Sequence, residues 1–336
     1  MKNVCVLGAG SWGTALARLL ANNGHNVRVW TIDPKEVEML TAYHEQKDKL
    51  PGVILPDTVT ISGNMQESVK DAELIVMAVP SPFVRSSAHA LAPFYQKGQV
   101  VVNVAKGIEE ATLMTMTDII ADEIPDVTVA VLSGPSHAEE VGKDIPTTVV
   151  AGSKNKNIAG YVQDMFMSPV FRVYTSPDMI GIELGGSVKN VIALAAGMLD
   201  GLGYGDNTKA ALMTRGVAEL IRLTVAMGGH IETAAGLTGM GDLIVTCTSN
   251  HSRNHNAGYL IGQGKTYQEA MDAVKMVVEG VYSAKAAKAL AEKYHVAMPI
   301  VDAVNEVLFD GKKAEDAAKQ LFMREKTSEA DLDSWE

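Results

Sequence analysis

Val4-Cys5-Val6-Leu7-Gly8-Ala9-Gly10-Ser11-Trp12-Gly13-Thr14-Ala15-Leu16-Ala17 carries a short apolar run through three glycines into an alanine- and leucine-rich segment. The unbroken apolar run predicts a strand buried on both faces, and residues 14–21 predict a helix. The G-x-G-x-x-G spacing between them has a physical purpose. Gly8 permits a tight turn, Gly10 lets the backbone approach a pyrophosphate, and Gly13 lets helix and strand pack closely. The helix N-terminus then offers unpaired N–H groups and a positive dipole end to the anion. Alone the motif is weak; its place between a strand and a helix favours a dinucleotide loop over a structural turn.

Outward from this loop, short β-rich runs at 4–7, 27–31, 74–79, 100–104, 127–132 and 147–151, and a further one at 171–174, alternate with helical stretches. Most are apolar throughout, as parallel strands covered on both faces are. Such alternation predicts a doubly wound α/β sheet of Rossmann type. After Pro177 the pattern changes, and 180–199, 210–227, 257–261, 267–274, 283–294 and 300–308 suit helices with almost no β-rich run between them. The expected organisation is a dinucleotide-binding domain over 1–178, an all-helical domain over 179–325 and a loose acidic tail over 326–336.

With 336 residues, 47% of them hydrophobic, the chain has material for two cores. No apolar run approaches the roughly 20 residues needed to cross a bilayer, and the N-terminus lacks a basic-then-apolar secretory pattern. Cys5 and Cys247 form no CxxC pair and read as packing residues in a reducing cytoplasm. His251 and His255 have helical spacing but no third ligand, so no metal is expected. The formal charge of -11 opposes binding to nucleic acid or an anionic membrane. An anionic ligand must therefore meet a local cationic pocket, which gives weight to single lysines and arginines in apolar or glycine-rich settings. Lys312-Lys313 reads instead as a solvated turn.

A dinucleotide loop ordinarily has an acidic partner for the adenosine ribose at the end of the second strand, and Asp33 is the only candidate. Yet Asp33-Pro34-Lys35-Glu36 is also a helix start, with Asp as N-cap and Pro in the first position, and capping is the favoured role. No arginine for a 2′-phosphate follows Trp30-Thr31-Ile32. NAD and NADP are not told apart here.

Polar residues stand just beyond three strands, on the side where open α/β sheets bind ligands: Pro80-Ser81, Lys106-Gly107 and Ser133-Gly134-Pro135-Ser136. Each has an ordinary-loop alternative, and Lys106 is the most suggestive. Lys189 is the sharpest anomaly, a single charge in Gly186-Ser187-Val188-Lys189-Asn190-Val191-Ile192-Ala193-Leu194-Ala195-Ala196-Gly197. A snorkelling surface lysine is the bland alternative. So apolar a helix should instead be buried, and burial lowers a lysine pKa towards that of a general base. In Gly236-Leu237-Thr238-Gly239-Met240-Gly241-Asp242, three glycines precede Asp242, which implies tight backbone packing or simply a turn and cap. Beyond it, Ser252-Arg253-Asn254 offers a planar fork suited to phosphate and an adjacent amide.

GAGSWGTALA at 8–17, AKGIE at 105–109, SGPSHAEEV at 133–141, SVKNVIALAAG at 187–197, GLGYGDN at 201–207, GLTGMGDLIVT at 236–246 and SRN at 252–254 together resemble the bacterial NAD(P)-dependent sn-glycerol-3-phosphate dehydrogenases. The resemblance spans nearly the whole chain in the family's order. It implies reversible interconversion of dihydroxyacetone phosphate and sn-glycerol 3-phosphate, feeding phospholipid synthesis, by a homodimer that uses NAD or NADP. It further implies that Lys189 is the proton acceptor, that Lys106 contacts substrate and cofactor, and that Asp242 orients the Lys189 amine. Gly134, Ser136, Asp242, Ser252, Arg253 and Asn254 would contact the substrate, Arg253 also reaching the cofactor. Ser11, Trp12, Ala138, Val277 and Glu279 would complete the dinucleotide site begun by Gly8, Gly10 and Gly13. Members often carry a basic residue or histidine where this chain has Ile32, which weighs against a strong NADP preference. Two other readings are another two-domain β-hydroxyacid or sugar-phosphate dehydrogenase, and a protein that senses NAD(P)H without turnover. The charge and the lack of a DNA-reading helix oppose the sensor.

Overall fold

The computed structural model describes residues 1–326 and 328–329, so most of the expected tail lies outside the described residues. The first half alternates β1 (Asn3–Leu7), α1 (Ser11–Asn22), β2 (Asn26–Trp30), α2 (Pro34–Tyr43), β3 (Thr60–Ser62), α3 (Met65–Val69), β4 (Leu74–Met77), α4 (Val84–Leu91), β5 (Val100–Asn103), α5 (Met116–Glu123), β6 (Thr128–Ser133), α6 (Ala138–Val141), β7 (Thr147–Gly152), α7 (Lys156–Phe166) and β8 (Phe171–Ser176). The eight strands lie in the order β3-β2-β1-β4-β5-β6-β7-β8. β1 pairs in parallel with both β2 and β4, so the winding reverses at β1 and opens a crevice beyond its C-terminal end, where the glycine loop begins. All of β4 and β5 is buried, which accounts for their unbroken apolar sequence.

The sheet departs from the all-parallel expectation at one edge. β7 is antiparallel to β6, and β8 follows β7 in parallel. Residues 134–146 contain a single turn of helix, so the chain doubles back beside β6 instead of crossing the sheet. β3, three half-exposed residues, had too little apolar pattern to stand out.

The second half comprises α8 (Met179–Gly201), α9 (Asp206–Ala226), α10 (Ile231–Ala234), α11 (Asp242–Thr248), α12 (Arg253–Gly262), α13 (Tyr267–Val274), α14 (Glu279–Lys293), α15 (Pro299–Phe309) and α16 (Ala314–Phe322). α8 is its axis: only Ile180, Asp200 and Gly201 of that helix escape burial. By length and composition alone α8 is apolar enough to cross a bilayer, a run that the sequence reading passed over, but 94% of its most apolar stretch is buried inside the protein. α8 and α12 meet at four glycines. A Cβ on Gly197 or Gly201 would stand 2.0 or 2.2 Å from the carbonyl oxygens of His255 and Tyr259, and one on Gly258 or Gly262 would stand 2.1 or 2.3 Å from those of Leu194 and Met198. Backbones this close exclude any side chain at the seam, and the seam packs α12 along the C-terminal part of α8.

Candidate active site

Gly8 has a φ of +113°, on the left-handed side that favours glycine, and its N–H donates to the Trp30 carbonyl at 2.8 Å. A Cβ on Gly13 would stand 2.0 Å from the Gly8 carbonyl oxygen, so this close approach of helix to strand requires glycine. Gly10 faces open space instead, with no atom within 4 Å of where its Cβ would be, a cradle into which a phosphate fits. As N-cap of α1 it brings no side chain, which leaves first-turn N–H groups free for an anion. The buried Ser11 hydroxyl donates to the Lys49 carbonyl at 2.6 Å, and half-buried Trp12 packs on the sheet core. Ala138 opens α6, which packs beside α1.

Asp33 is the N-cap of α2, its carboxylate accepting from the Lys35 N–H at 2.9 Å, as its helix-start sequence implied. Ile32 beside it is 83% exposed. The segment after α2 folds back over the glycine loop, Gln46 donating to the Ala9 carbonyl at 2.9 Å and Lys49 pairing with Glu36 at 2.6 Å.

One carboxylate joins the two singled-out lysines. Asp242 Oδ1 lies 3.0 Å from Lys189 Nζ, and Asp242 Oδ2 lies 2.5 Å from Lys106 Nζ. Lys106 Nζ also donates to the Gly134 carbonyl at 3.0 Å, and Lys189 Nζ to Thr246 Oγ1 at 2.6 Å. Thr246 Oγ1 itself donates to the Asp242 carbonyl at 2.6 Å, which fixes it as an acceptor towards Lys189. Lys189 and Asp242 are both buried. Burial is the main reason the Lys189 ammonium is pushed down to about 8; Asp242 draws it back up and Lys106 pushes it further down. Burial by itself would raise Asp242, but the two ammonium charges and their hydrogen bonds more than offset this and hold it below the usual carboxylate range.

Asp242 reaches this position through an unusual turn. Residues Leu237–Gly241 form a π-helical turn leading into α11. A Cβ on Gly239 would stand 1.9 Å from the Ala234 carbonyl oxygen, and one on Gly185 would stand 2.5 Å from the Thr238 carbonyl oxygen. Gly239 thus presses backbone against α10, and Gly185 of α8 lets the same turn approach that helix, so the glycine segment is tight backbone packing. The turn delivers a buried carboxylate at the first position of α11.

Gly134 has a φ of +148°, and its carbonyl accepts from both Lys106 and the Ser136 hydroxyl, the latter at 2.9 Å. Ser252 caps α12, accepting from the His255 N–H at 3.1 Å. Arg253, exposed at the first position of α12, lines a cleft with Asn256, Tyr259 and Val274 and has no protein partner among the described residues. Asn254 turns inward: its Nδ2 donates to Asn190 Oδ1 at 2.8 Å, and its Oδ1 accepts from the Gly280 N–H at 2.8 Å. The side chain expected to offer an amide to phosphate thus ties α12 to α8 and α14. Val277 lies on the segment before α14, and Glu279 is the first residue of that helix.

Thr246, Asn190 and His137 escaped the sequence reading. His137 is the N-cap of α6; burial, then the Lys189 and Lys106 charges, hold its imidazole below its ordinary value. Thr246 lies one helical turn after Asp242, a signal that was available. Asn190 and His137 had none.

Two family models cover most of the chain. The one described as NAD-dependent glycerol-3-phosphate dehydrogenase N-terminus matches residues 3–159, and its C-terminal counterpart matches residues 178–319. The chain belongs to the NAD-dependent glycerol-3-phosphate dehydrogenase family. It is 60% identical to the glycerol-3-phosphate dehydrogenase [NAD(P)+] of Agathobacter rectalis over 100% of both chains. To the Bacillus subtilis protein of the same name it is 52% identical over 98% of this chain and 96% of that one. The solved glycerol-3-phosphate dehydrogenase of Coxiella burnetii superposes with a TM-score of 0.93 at 36% identity, covering 96% and 99% of the two chains. In this family member both lysines meet at Asp242, and Gly10 leaves open space at the start of α1.

Proposed function

We propose that this NAD(P)-dependent dehydrogenase interconverts sn-glycerol 3-phosphate and dihydroxyacetone phosphate by proton transfer at Lys189 Nζ, as a cytoplasmic homodimer that supplies glycerol 3-phosphate for phospholipid synthesis. Its sheet half, 1–178, holds the dinucleotide on Gly8, Gly10, Ser11, Trp12, Gly13 and Ala138. Its helical half, 179–325, would complete the site with Lys189, Asp242, Arg253, Val277 and Glu279.

The observation that carries this reading is the sharing of Asp242 by two lysines. Neutral Lys189 has two N–H donors and one lone pair; with the donors directed at Asp242 and Thr246, the lone pair is left to take the C2 hydroxyl proton. In the reverse direction the ammonium keeps both bonds and gives its third proton to the C2 oxygen. Lys106, with donors on Asp242 and Gly134, likewise has one N–H left to polarise that oxygen. A nicotinamide dinucleotide held on the glycine loop 8–13 would supply the hydride chemistry needed at C2. Arg253 and the free N–H groups at the start of α12 bind the phosphate, so that binding energy remote from C2 positions the reacting carbon.

The test follows oxidation of NADH and of NADPH with dihydroxyacetone phosphate and with unphosphorylated dihydroxyacetone. Turnover confined to the phosphorylated ketone is expected. Equal turnover of both ketones, or none with either cofactor, would end the proposal. Light scattering should give about twice the 35.8 kDa chain mass.

A further inference from the structure

Pro80-Ser81 continues from the C-terminal end of β4, beside the crevice at the switch point. Both donors of Ser81 end on one carboxylate of the helical half. Its backbone N–H donates to Glu279 Oε1 at 3.2 Å, and its hydroxyl donates to Glu279 Oε2. The serine is also wedged against the loop that carries Lys106, since a Cβ on Gly107 would stand 2.3 Å from the Ser81 Cβ. It thus touches the lysine loop on one side and the start of α14 on the other. Each carboxylate oxygen still has acceptor capacity left after these bonds.

We propose that Ser81 is a positioning residue for the dinucleotide, gripping both oxygens of Glu279 so that the carboxylate is presented to an amide donor at the nicotinamide end of the crevice. The inference rests on the reading of Glu279 as part of the dinucleotide site. The electrostatics favour it. Burial raises the Glu279 carboxyl, while the two Ser81 donors and then the Arg253 and Lys189 charges draw it back towards ionisation. Loss of the hydroxyl removes one of those restraints, so the carboxyl takes up a proton at higher pH and presents a poorer acceptor.

The test compares Ser81→Ala, Ser81→Thr and Glu279→Ala with the wild type in the reduction of dihydroxyacetone phosphate. Ser81→Ala is expected to raise the KM for NAD(P)H about tenfold, the scale of a lost hydrogen bond to a charged group. The KM for dihydroxyacetone phosphate should hold, and the acid limb of kcat/KM for NAD(P)H should move to higher pH. Ser81→Thr, which keeps the hydroxyl, should restore both. If Glu279→Ala raises the dinucleotide KM but Ser81→Ala leaves KM and acid limb unmoved, the role of Ser81 is overturned. If Glu279→Ala also leaves that KM unmoved, the reading of Glu279 itself fails.

Discussion

Lys189 is held by Asp242 and Thr246, which leaves one position at its nitrogen for substrate, and each direction of the reaction needs a different protonation state of it. With the ammonium pushed down to about 8, oxidation of glycerol 3-phosphate needs the neutral amine and should accelerate as pH rises through about 8. Reduction needs the ammonium and should slow over the same interval. Paired pH profiles check this, and limbs of the same sign in both directions would refute it. Lys189→Met should retain cofactor binding and lose about 10²–10⁴-fold in kcat, the usual scale for a positioned acid or base. Arg253 acts at the other end of the substrate. Arg253→Ala should raise the KM for dihydroxyacetone phosphate by tenfold or more, at about 1.5–3 kcal/mol for a charge-assisted contact. These two lysines and the arginine were legible because each is a cation in a setting that does not otherwise call for one. Asn254 was legible as polar, but not in its direction, since its partners Asn190 and Gly280 lie 64 and 26 residues away.

Among the elements, α8 carries the site because neighbours reach it on several faces through glycine. Gly258→Ala would place a methyl 2.1 Å from the Leu194 carbonyl oxygen and push α12 off α8. Overpacking of this kind costs about 1–3 kcal/mol, and because Ser252–Asn254 begin α12 the KM for dihydroxyacetone phosphate should rise with it. Urea unfolding and steady-state kinetics on one variant check both. A second contact pins α8 to the sheet half. Buried Glu183 accepts from the Thr117 N–H at 2.9 Å and from its hydroxyl at 2.5 Å, in the first turn of α5. Burial pushes this carboxyl up to about 7 from an ordinary 4.5, against the pull of the Thr117 donors. A carboxyl raised on folding contributes stability at low pH that is lost as pH rises from about 4.5 through about 7. Glu183→Gln removes that dependence. Its destabilisation relative to wild type should therefore shrink by on the order of 1–3 kcal/mol between pH 5 and pH 8, as urea midpoints would show. A destabilisation that grows with pH would contradict the sign.

At the scale of the whole molecule, the sheet half supplies the glycine loop and Lys106, and the helical half supplies Lys189 and Asp242. Cofactor choice belongs to the far end of the dinucleotide site. Ile32 is 83% exposed, Asp33 is committed to a cap, and Lys49 is paired with Glu36. Ile32→Arg should therefore raise the NADPH to NADH ratio of kcat/KM by about tenfold, the value of one charge-assisted contact with a 2′-phosphate. No change would place the discriminating contact elsewhere.

By itself the sequence determined the dinucleotide loop, the Rossmann-type sheet followed by helices, and the unusual lysine of α8. Strand and helix periodicity, a glycine spacing and a charge in an apolar helix are all local patterns. Only the tertiary structure decided that Asp242 is shared by Lys106 and Lys189, that Thr246 also accepts from Lys189, and that Asn254 faces inward. It also decided that β7 runs against β6 and that Ser81 meets Glu279. Each of these depends on which backbones approach closely, and that is set by glycine contacts between elements distant in the chain.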